Sequence, residues 1–370
     1  MGRKLKILIG GAPFGDTNYG EDAILAADVE ILRTIDPNIE ISVLTHEPER
    51  TQAWLGVRAY PRGGGRRNPR LIQHIRLMRD TDVFAFGGTT MLSDGPNLPL
   101  RMILLAKLMG KPVITFPCGM NPIRSKTTRL VMKYLLRRVD LLIVRDEETK
   151  SLLGDYGVHI PIHVTADPVF LLKPMDTDSG TTRLLDENPF LKDPRPVLAL
   201  SLTHTGHAPL GELAKTCHYL VDDLGYSILF FPTHANDRYD ITLSVMKQLP
   251  DKEHCFVFKK RYYPEEILAM LRRVSFALSS RLHFLISCAV TNVPTIAFYR
   301  SQKIDNFLRL LNQEPAGYIE DITFEKLKVK VDHLHKNLAY ERKQLMEGMA
   351  HVRTLAMTTT NLVRDFLDRL

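Results

Sequence analysis

The stretch that decides the fold is Lys4–Leu25, which reads KLKILIGGAPFGDTNYGEDAIL. Its first part, Lys4–Gly10, is a short apolar run of the kind that forms a buried strand. Four glycines fall within residues 10–20, where they permit positive φ angles and a close approach of the backbone to other atoms. Apolar residues then recur at helical spacing over Asp22–Thr34. A strand, a glycine-rich loop and a helix in this order predict the first unit of a parallel α/β sheet.

The same alternation of strand and helix continues along the first half of the chain. Further strands are predicted at Glu40–Leu44, Val83–Phe86, Val113–Phe116, Leu141–Val144 and His163–Ala166. The helical patterns between them cover Asn68–Arg79, Leu98–Met109, Lys126–Arg138 and Glu147–Tyr156. Several of the strand candidates are apolar throughout, as expected for parallel strands covered on both faces. Repeated units of this kind predict a doubly wound α/β domain.

The alternation of strand and helix patterns stops at residues 173–196. This segment is rich in proline and small polar residues, and we interpret it as a linker. The alternation resumes with strand candidates at Val197–Leu202, Ile228–Pro232, Phe256–Phe258, Phe276–Leu278 and Pro294–Phe298. We therefore expect domains over 1–172 and 197–322. A helical segment over 323–370 is expected to pack across both of them. Ligands of such domains bind at the carboxyl ends of the strands, which predicts a cleft between the two.

Composition excludes several classes of protein. The chain has 370 residues, of which 44% are hydrophobic and 25% charged, so it is neither disordered nor fibrous. No stretch approaches the ~18–20 apolar residues of a transmembrane helix, and the N-terminus lacks the long apolar core of a secretion signal. The four cysteines show no metal-binding spacing and are expected to be buried thiols. We expect a cytoplasmic protein.

Two segments hold residues suited to catalysis or anion binding. In the first loop, Asn18 and Gly20 precede Glu21 and Asp22 at the start of a helix, whose free N–H groups favour an anion. Either carboxylate is an N-cap or a general base toward a hydroxyl. The other segment is Ser279–His283, after a predicted strand of the second domain. There an arginine fork and a histidine suit phosphate or carboxylate, whereas a capped helix with a surface arginine is the plain alternative.

Other strand ends carry further candidates. Tyr299 and Lys303 follow the next strand of the second domain. In the first domain the candidates are Arg145 with Asp146, Asp167, and the glycine pair Gly87-Gly88, which suits backbone contact with a ligand. Each charged residue in this group is alternatively a helix cap or a solvated surface charge.

Together these motifs resemble those of the polysaccharide pyruvyl transferases, over roughly residues 5–311 and in the same order. The matching segments are Asn18–Leu25, Gly87-Gly88, Val144–Asp146, Ala166–Pro168, Ser279–His283 and Tyr299–Lys303. Two positions differ from the family pattern. Gly20-Glu21-Asp22 stands where the family usually has Gly-Asp-Glu, and threonines rather than a third glycine follow the glycine pair. The first difference leaves open whether Glu21 or Asp22 is the base.

The resemblance implies an α/β fold of two Rossmann-like doubly wound domains facing a cleft, as in the GT-B glycosyltransferases, with long C-terminal helices. It implies transfer of an enolpyruvyl unit from phosphoenolpyruvate to two hydroxyls of a sugar, in a cell-surface glycan or its lipid-linked precursor. The products are a pyruvate ketal and phosphate, and neither a metal nor a cofactor beyond the co-substrate is implied. The alternative is a GT-B-type glycosyltransferase with a nucleotide-sugar donor, and a third class is a noncatalytic sugar- or anion-binding protein.

The resemblance also implies that the first domain binds the acceptor and the second the donor, and it implies roles for the candidate residues. Donor binding falls to Arg281, Lys303, Ser279, Ser280 and Tyr299. Catalysis falls to Glu21, with Asp22 as the alternative base, and to His283, which protonates the methylene carbon or binds the phosphate. Acceptor or phosphate binding falls to Arg145, Asn18, Gly20, Gly87 and Gly88.

The formal net charge of +7 is unevenly distributed. Residues 95–139 contain nine bases and no acid, and residues 50–79 form a second acid-free run that includes Arg66 and Arg67. Within the first run, Lys126, Arg129, Lys133 and Arg137 share one face of a helix over 124–138. Such a helix is either a solvated basic face or a contact with the inner face of an anionic membrane, which would suit a lipid-linked acceptor. Nucleic-acid binding is disfavoured because no aromatic residues alternate with the bases.

Overall fold

The computed structural model describes residues 4–63, 70–88, 90, 98–175, 183–203, 207–232, 240–258 and 260–370. Three features discussed above lie outside these ranges: Arg66 and Arg67 of the second basic run, the threonine at 89, and residues 176–182 of the expected linker. The chain divides into two compact units, one of Met1–Leu172 with Arg353–Leu370 and one of Lys173–Val352.

The first unit is built on a parallel sheet of five strands in the order β3-β2-β1-β4-β5. Its strands are β1 (Lys6–Gly10), β2 (Glu40–Thr45), β3 (Arg58–Pro61), β4 (Val83–Phe86) and β5 (Val113–Thr115). A further parallel pair, β6 (Leu142–Val144) and β7 (Ile162–Val164), joins β5 through a bridge between Ile114 and Leu141. The central strands β1 and β4 are almost wholly buried, which accounts for their continuous apolar sequences.

Six helices connect these strands: α1 (Tyr19–Ile35), α2 (Pro48–Leu55), α3 (Leu71–Arg79), α4 (Leu98–Leu108), α5 (Lys126–Leu136) and α6 (Glu147–Asp155). Five of the six match predicted helical patterns within a turn. The sequence reading missed α2 and the edge strand β3. Segment Arg58–Pro61 is short, carries a charge and a proline, and is only partly buried, so it has none of the apolar continuity that marks an inner strand.

The basic stripe of helix α5 is only partly in solvent. Lys126 and Arg137 are exposed, whereas Arg129 and Lys133 are half-buried. The Arg129 guanidinium lies 4.6 Å from the centroid of the Tyr156 ring, and Lys133 lies against Gly157. The long stems of arginine and lysine pack on neighbouring apolar surface, so the residues of a basic stripe need not all lie in solvent. The exposed side chains of the helix also include the apolar Leu130, Val131 and Tyr134.

The second unit repeats the first topology, with a parallel sheet in the order β10-β9-β8-β11-β12. The strands are β8 (Val197–Ser201), β9 (Ser227–Phe230), β10 (Cys255–Val257), β11 (Val274–Ser279) and β12 (Thr295–Ala297). The helices are α7 (Leu210–Asp222), α8 (Thr242–Lys247), α9 (Pro264–Leu271), α10 (Leu282–Val290), α11 (Gln302–Leu310) and α12 (Phe324–Leu367). All five predicted strands of this half are present.

Residues 173–196 belong to the second unit, and their described part packs on it. A helical turn covers 183–187, and Arg183 forms an ion pair with the buried Glu266 of α9. Asn188 donates to the Tyr262 hydroxyl at 2.9 Å, and that hydroxyl donates to Glu187 at 3.0 Å. The prolines that suggest a linker therefore accompany a polar network within the unit.

The C-terminal helix α12 contributes to both units. Leu327, Val331 and Leu334 belong to the apolar core of the second unit, while residues from Arg353 onward belong to the first. There Thr359 donates a hydrogen bond to the Thr165 hydroxyl at 2.9 Å. Asn337 interrupts the helix with nonhelical dihedral angles, so the helix is kinked at that residue.

All four cysteines are thiols, and three of them are fully buried. Burial raises the pKa of the Cys255 thiol to about 11. Among the helices described, none combines the length and the apolar character that crossing a membrane requires.

Candidate functional site

The glycine loop of the first unit is held by close packing. Gly11 has φ +91°, and a Cβ there would lie 2.5 Å from the Phe86 ring; Gly15 has φ +74°, and a Cβ there would lie 2.4 Å from the Thr45 hydroxyl. Both positions therefore require glycine. Arg62, directly after β3, holds the glycine loop in place: its guanidinium donates to the carbonyl of Ala12 at 2.7 Å and to that of Gly11 at 3.2 Å.

Asn18 caps α1, with its side-chain oxygen accepting the Gly20 N–H at 3.1 Å. The helix thus begins at Tyr19, earlier than the sequence pattern indicates, and neither Glu21 nor Asp22 is the N-cap. Both carboxylates instead lie in the first turn, where the helix dipole favours a negative charge.

The structure separates the two candidate bases. Asp22 is buried and forms an ion pair with Arg50 of α2 at 2.9 Å. Glu21 is half-buried and lies in the electrostatic field of Arg62. Burial lowers the pKa of Arg62, and the nearby carboxylates of Glu21 and Asp16 oppose that decrease. Asp22 thus forms a structural ion pair, whereas Glu21, at the same end of the helix, is partly exposed to solvent.

The glycine pair after β4 is required by packing. A Cβ at Gly87 would lie 2.3 Å from the Phe14 ring, and one at Gly88 would lie 2.9 Å from the Pro117 carbonyl oxygen. The Gly88 N–H donates to Oδ2 of Asp28 at 2.9 Å. The backbone donor expected to meet a ligand is therefore engaged by a side chain of α1.

Asp28 is the fully buried carboxyl group at the centre of this contact. Its other oxygen, Oδ1, is also buried and has no hydrogen-bond partner within the described part of the chain. Burial raises the pKa of Asp28 well above its usual range, the charges of Asp167 and Glu21 add to the increase, and the Gly88 N–H opposes it. The surroundings of Asp28 thus favour its protonated form over the carboxylate.

The free energy of unfolding of Asp28→Asn, compared with that of wild type, is expected to increase as the pH rises. In the unfolded chain Asp28 loses its proton near pH ~3.9, whereas the raised pKa of the folded chain keeps the proton bound to a higher pH. The stability this acid contributes is complete below that pH and is lost as the pH rises toward the folded pKa, by at most about 1.4 kcal/mol per pH unit.

Urea unfolding of wild type, Asp28→Asn and the control Glu30→Gln between pH 5 and 8 measures this difference. Glu30 lies on the exposed side of the same helix. A difference between Asp28→Asn and wild type that stays constant with pH would contradict the buried protonated acid.

Arg145 is buried rather than presented to solvent. Its Nη1 lies 2.8 Å from Oδ2 of Asp167, and both side chains are about 5% exposed. The two aspartates around it are caps: Asp146 accepts the Thr149 N–H, and Asp167 accepts the Val169 N–H. This ion pair joins the ends of β6 and β7.

In the second unit, Ser279 is the last residue of β11 and Ser280 follows it, and both side chains form hydrogen bonds with the backbone at the end of β8. Ser279 donates to the Ser201 carbonyl at 2.8 Å. Ser280 donates to the Thr203 carbonyl at 2.7 Å and accepts the Thr203 N–H at 2.8 Å. Both are fully buried, so they hold the ends of β8 and β11 together.

Arg281 follows these serines as the N-cap residue of α10 and is paired with Asp240. Its Nη2 lies 2.9 Å from Oδ2 of Asp240, and Oδ1 of that aspartate accepts the Thr242 N–H at 2.9 Å. The aspartate thereby fixes the guanidinium at the carboxyl end of the sheet. His283 lies in the first turn of α10 and is partly exposed.

Tyr299 and Lys303 lie at the adjacent strand end. Strands β11 and β12 are neighbours, with Ser279 opposite Ala297, so the two following loops start at the same level of the sheet. The Tyr299 ring packs edge-on against Tyr318, with 4.7 Å between centroids. Lys303 lies in the first turn of α11, half-buried. The topology thus brings Arg281, His283 and Lys303 to neighbouring helix N-termini.

Sequence reasoning missed Asp28, Asp240 and the anchoring role of Arg62. Asp28 had a signal, since it interrupts the apolar stretch Ala23–Leu32 on the buried side of α1. No sequence signal marked Asp240, because its partner Arg281 is 41 residues away along the chain. No cluster of three or more potential metal ligands occurs within the ranges described.

Solved structures share the whole fold of the chain. The UDP-N-acetylglucosamine 2-epimerase of Neisseria meningitidis bound to UDP-GlcNAc has a TM-score of 0.67 at 12% identity, covering 98% of this chain and 99% of that one. S. aureus MnaA with UDP has a TM-score of 0.68 at 12% identity, and the match covers 100% of this chain and 98% of that one. Anabaena Alr3699/HepE with UDP-glucose has a TM-score of 0.63 at 10% identity, and the match covers 99% of this chain and 100% of that one. The chain therefore has two Rossmann-like domains of the GT-B type, as the resemblance predicts.

Sequence comparison identifies the family more closely. No curated protein matches the chain significantly. The family model described as polysaccharide pyruvyl transferase matches residues 18–302, more than three quarters of the chain. The match runs from the Asn18 cap, after β1, to the start of α11 and so includes strands of both sheets. The chain belongs to the polysaccharide pyruvyl transferase family.

Proposed function

We propose that this transferase moves an enolpyruvyl unit from phosphoenolpyruvate to two hydroxyls of a sugar, in a surface glycan or its lipid-linked precursor. The observation that carries the proposal is the placement of Arg281, His283 and Lys303 at neighbouring strand ends of one sheet. Phosphoenolpyruvate carries a carboxylate and a phosphate on the same carbon atom, C2, so its site needs fixed cations and N–H donors.

The second unit supplies the donor site in this proposal. Asp240 fixes the Arg281 guanidinium, whose planar fork matches a phosphate or a carboxylate. Lys303 adds a second positive charge. His283 either binds the phosphate or delivers the proton to the methylene carbon. Ser279 and Ser280 act indirectly, because their hydroxyls hold the loop that carries Arg281.

The reaction is balanced by the two acceptor hydroxyls. One acceptor oxygen bonds to C2 of phosphoenolpyruvate while C3 takes up a proton and becomes a methyl group. The bond between C2 and the phosphate oxygen then breaks, and the second acceptor oxygen bonds to C2. Of the two hydroxyl protons released, one balances the proton gained at C3 and the other leaves with phosphate.

The first unit supplies the general base. We assign that role to Glu21, because the carboxylate of Asp22 is committed to Arg50. Arg145 is assigned to maintaining the sheet end through its buried pair with Asp167, in place of the predicted contact with acceptor or phosphate.

A second candidate is a glycosyltransferase with a nucleotide-sugar donor. The observation that favours it is the fold shared with proteins solved in complex with UDP, UDP-GlcNAc or UDP-glucose. The two candidates differ in the leaving group, which is inorganic phosphate for one and a nucleotide for the other.

The test is incubation with phosphoenolpyruvate and candidate glycan precursors, followed by phosphate release and mass analysis of the glycan. We expect phosphate release that depends on the acceptor, with a product whose added mass is that of pyruvate less water. Thermal unfolding with phosphoenolpyruvate or with UDP-sugars provides a second measurement. Stabilisation by a UDP-sugar alone, with nucleotide release, would overturn the proposal in favour of the second candidate.

A further inference from the structure

Three adjacent helices of the first unit expose an unusual number of large apolar side chains. They are Leu71 and Ile72 of α3, Leu104 and Leu108 of α4, and Leu130, Val131 and Tyr134 of α5. These three helices contain 31 residues, yet they hold seven of the fourteen exposed large hydrophobic residues found in the described ranges. Such a concentration on one face marks an interaction surface.

The topology places all three helices on the same face of the sheet. The chain passes from β1 through β2 to the edge strand β3 and then returns to β4 and β5 on the opposite side. Right-handed crossovers therefore put α3, α4 and α5 on one face and α1 and α2 on the other. Helix α4 packs between α3 and α5. We call this outer face of α3, α4 and α5 the three-helix surface.

The three-helix surface is also basic. Its exposed bases are Arg76, Arg79, Arg101, Lys126 and Arg137, with Arg124 and Arg138 at the ends of α5. Among the described residues at its rim, Asp80 pairs with Lys6 and Asp140 pairs with Lys107. The Arg138 guanidinium lies 3.6 Å from the centroid of the exposed Tyr134 ring, so charge and apolar surface are interleaved.

We propose that the three-helix surface docks on an anionic lipid bilayer, with its apolar side chains in the headgroup region and its bases against the lipid phosphates. Apolar side chains surrounded by arginine and lysine are the composition of interfacial membrane contacts. A second copy of the chain fits poorly, because a twofold contact would oppose like charges. Nucleic acid leaves the exposed leucines and isoleucine without a favourable contact. The proposal is independent of the reaction assigned above.

Co-sedimentation with vesicles tests the proposal. The vesicles are phosphatidylcholine alone or an equal mixture of phosphatidylcholine and phosphatidylglycerol, at ~0.05 M and ~0.5 M NaCl. We expect wild-type protein to bind the mixed vesicles at low salt and to bind much less at high salt. Failure to bind the mixed vesicles at low salt would overturn the proposal, and so would equal binding to both kinds of vesicle.

Two double variants distinguish docking from charge attraction alone. Arg137→Gln with Arg138→Gln is expected to weaken binding by about fivefold for each charge removed. Leu108→Gln with Leu130→Gln, at side chains 75% and 67% exposed, is expected to weaken binding severalfold without changing the thermal unfolding midpoint.

The matched apolar control is Val329→Gln with Met346→Gln, at exposed positions of the second unit. The matched charge control is Lys192→Gln with Lys215→Gln, also in that unit. Neither is expected to change binding. Wild-type affinity in the leucine variant, or equal losses in the variants and their controls, would refute docking through this surface.

Discussion

Replacing Arg281 with alanine is expected to reduce phosphate release from phosphoenolpyruvate by about 30- to 150-fold. The guanidinium is the cation that Asp240 holds at the end of β11, at 2.9 Å. Losing a charge-assisted contact with a phosphate or carboxylate costs ~2–3 kcal/mol, and each ~1.4 kcal/mol is tenfold in rate. Steady-state kinetics with a saturating acceptor measures the change.

Arg281→Ala also leaves Asp240 without this ion pair, so a second variant is needed to separate binding from folding. Arg281→Lys keeps a positive charge beside Asp240 but lacks the planar fork, and we expect it to retain the thermal midpoint while losing most of the turnover. Arg309→Ala is the matched control, because that arginine is exposed on α11 in the same unit. Turnover within threefold of wild type in folded Arg281→Ala would show that the donor site lies elsewhere.

Glu21→Gln is expected to lower kcat by about 10²–10⁴-fold, the usual contribution of a positioned general base. The amide has almost the same shape as the carboxylate but cannot accept the hydroxyl proton. The acidic limb of the pH–rate profile that belongs to this base should disappear in the variant. Substrate binding, measured as stabilisation by phosphoenolpyruvate, should be unchanged.

Asp22→Asn is the informative partner of that variant. It breaks the pair with Arg50, whose atoms lie 2.9 Å apart, and we expect it to lower the free energy of unfolding by about 1–3 kcal/mol. The remaining folded protein should keep its kcat. The reverse pattern, an inactive but folded Asp22→Asn beside an active Glu21→Gln, would make Asp22 the base.

Most of the architecture follows from local patterns. The strands around Val83–Phe86 and Val197–Ser201 are apolar throughout because both faces of a parallel sheet are covered. The glycine loop was recognisable because positive φ angles at Gly11 and Gly15 exclude other residues. The edge strand β3 escaped prediction, since an edge strand is solvated on one side and does not carry a continuous apolar pattern.

The candidate site was predicted less completely than the fold. Placement after strand ends predicted that Arg281, His283 and Lys303 follow neighbouring strands, and the pairing of β11 with β12 places the start of both following loops at one edge of the sheet. It gave equal weight to Ser279 and Ser280, although both hydroxyls are occupied by backbone groups. A hydroxyl beside a strand end bonds the nearest unsatisfied carbonyl, and sequence does not show which carbonyl that is.

The sequence by itself determined the fold class, the order of the strands and helices other than α2 and β3, and the family, because burial periodicity and short motifs are local properties of a chain. Only the tertiary structure decided which charged groups are committed to one another. Asp22 pairs with Arg50, Arg145 with Asp167, and Arg281 with Asp240, across 28, 22 and 41 residues. Such pairs depend on strand order and crossover hand, which bring distant residues together and leave Glu21, rather than Asp22, in the role of general base that we propose.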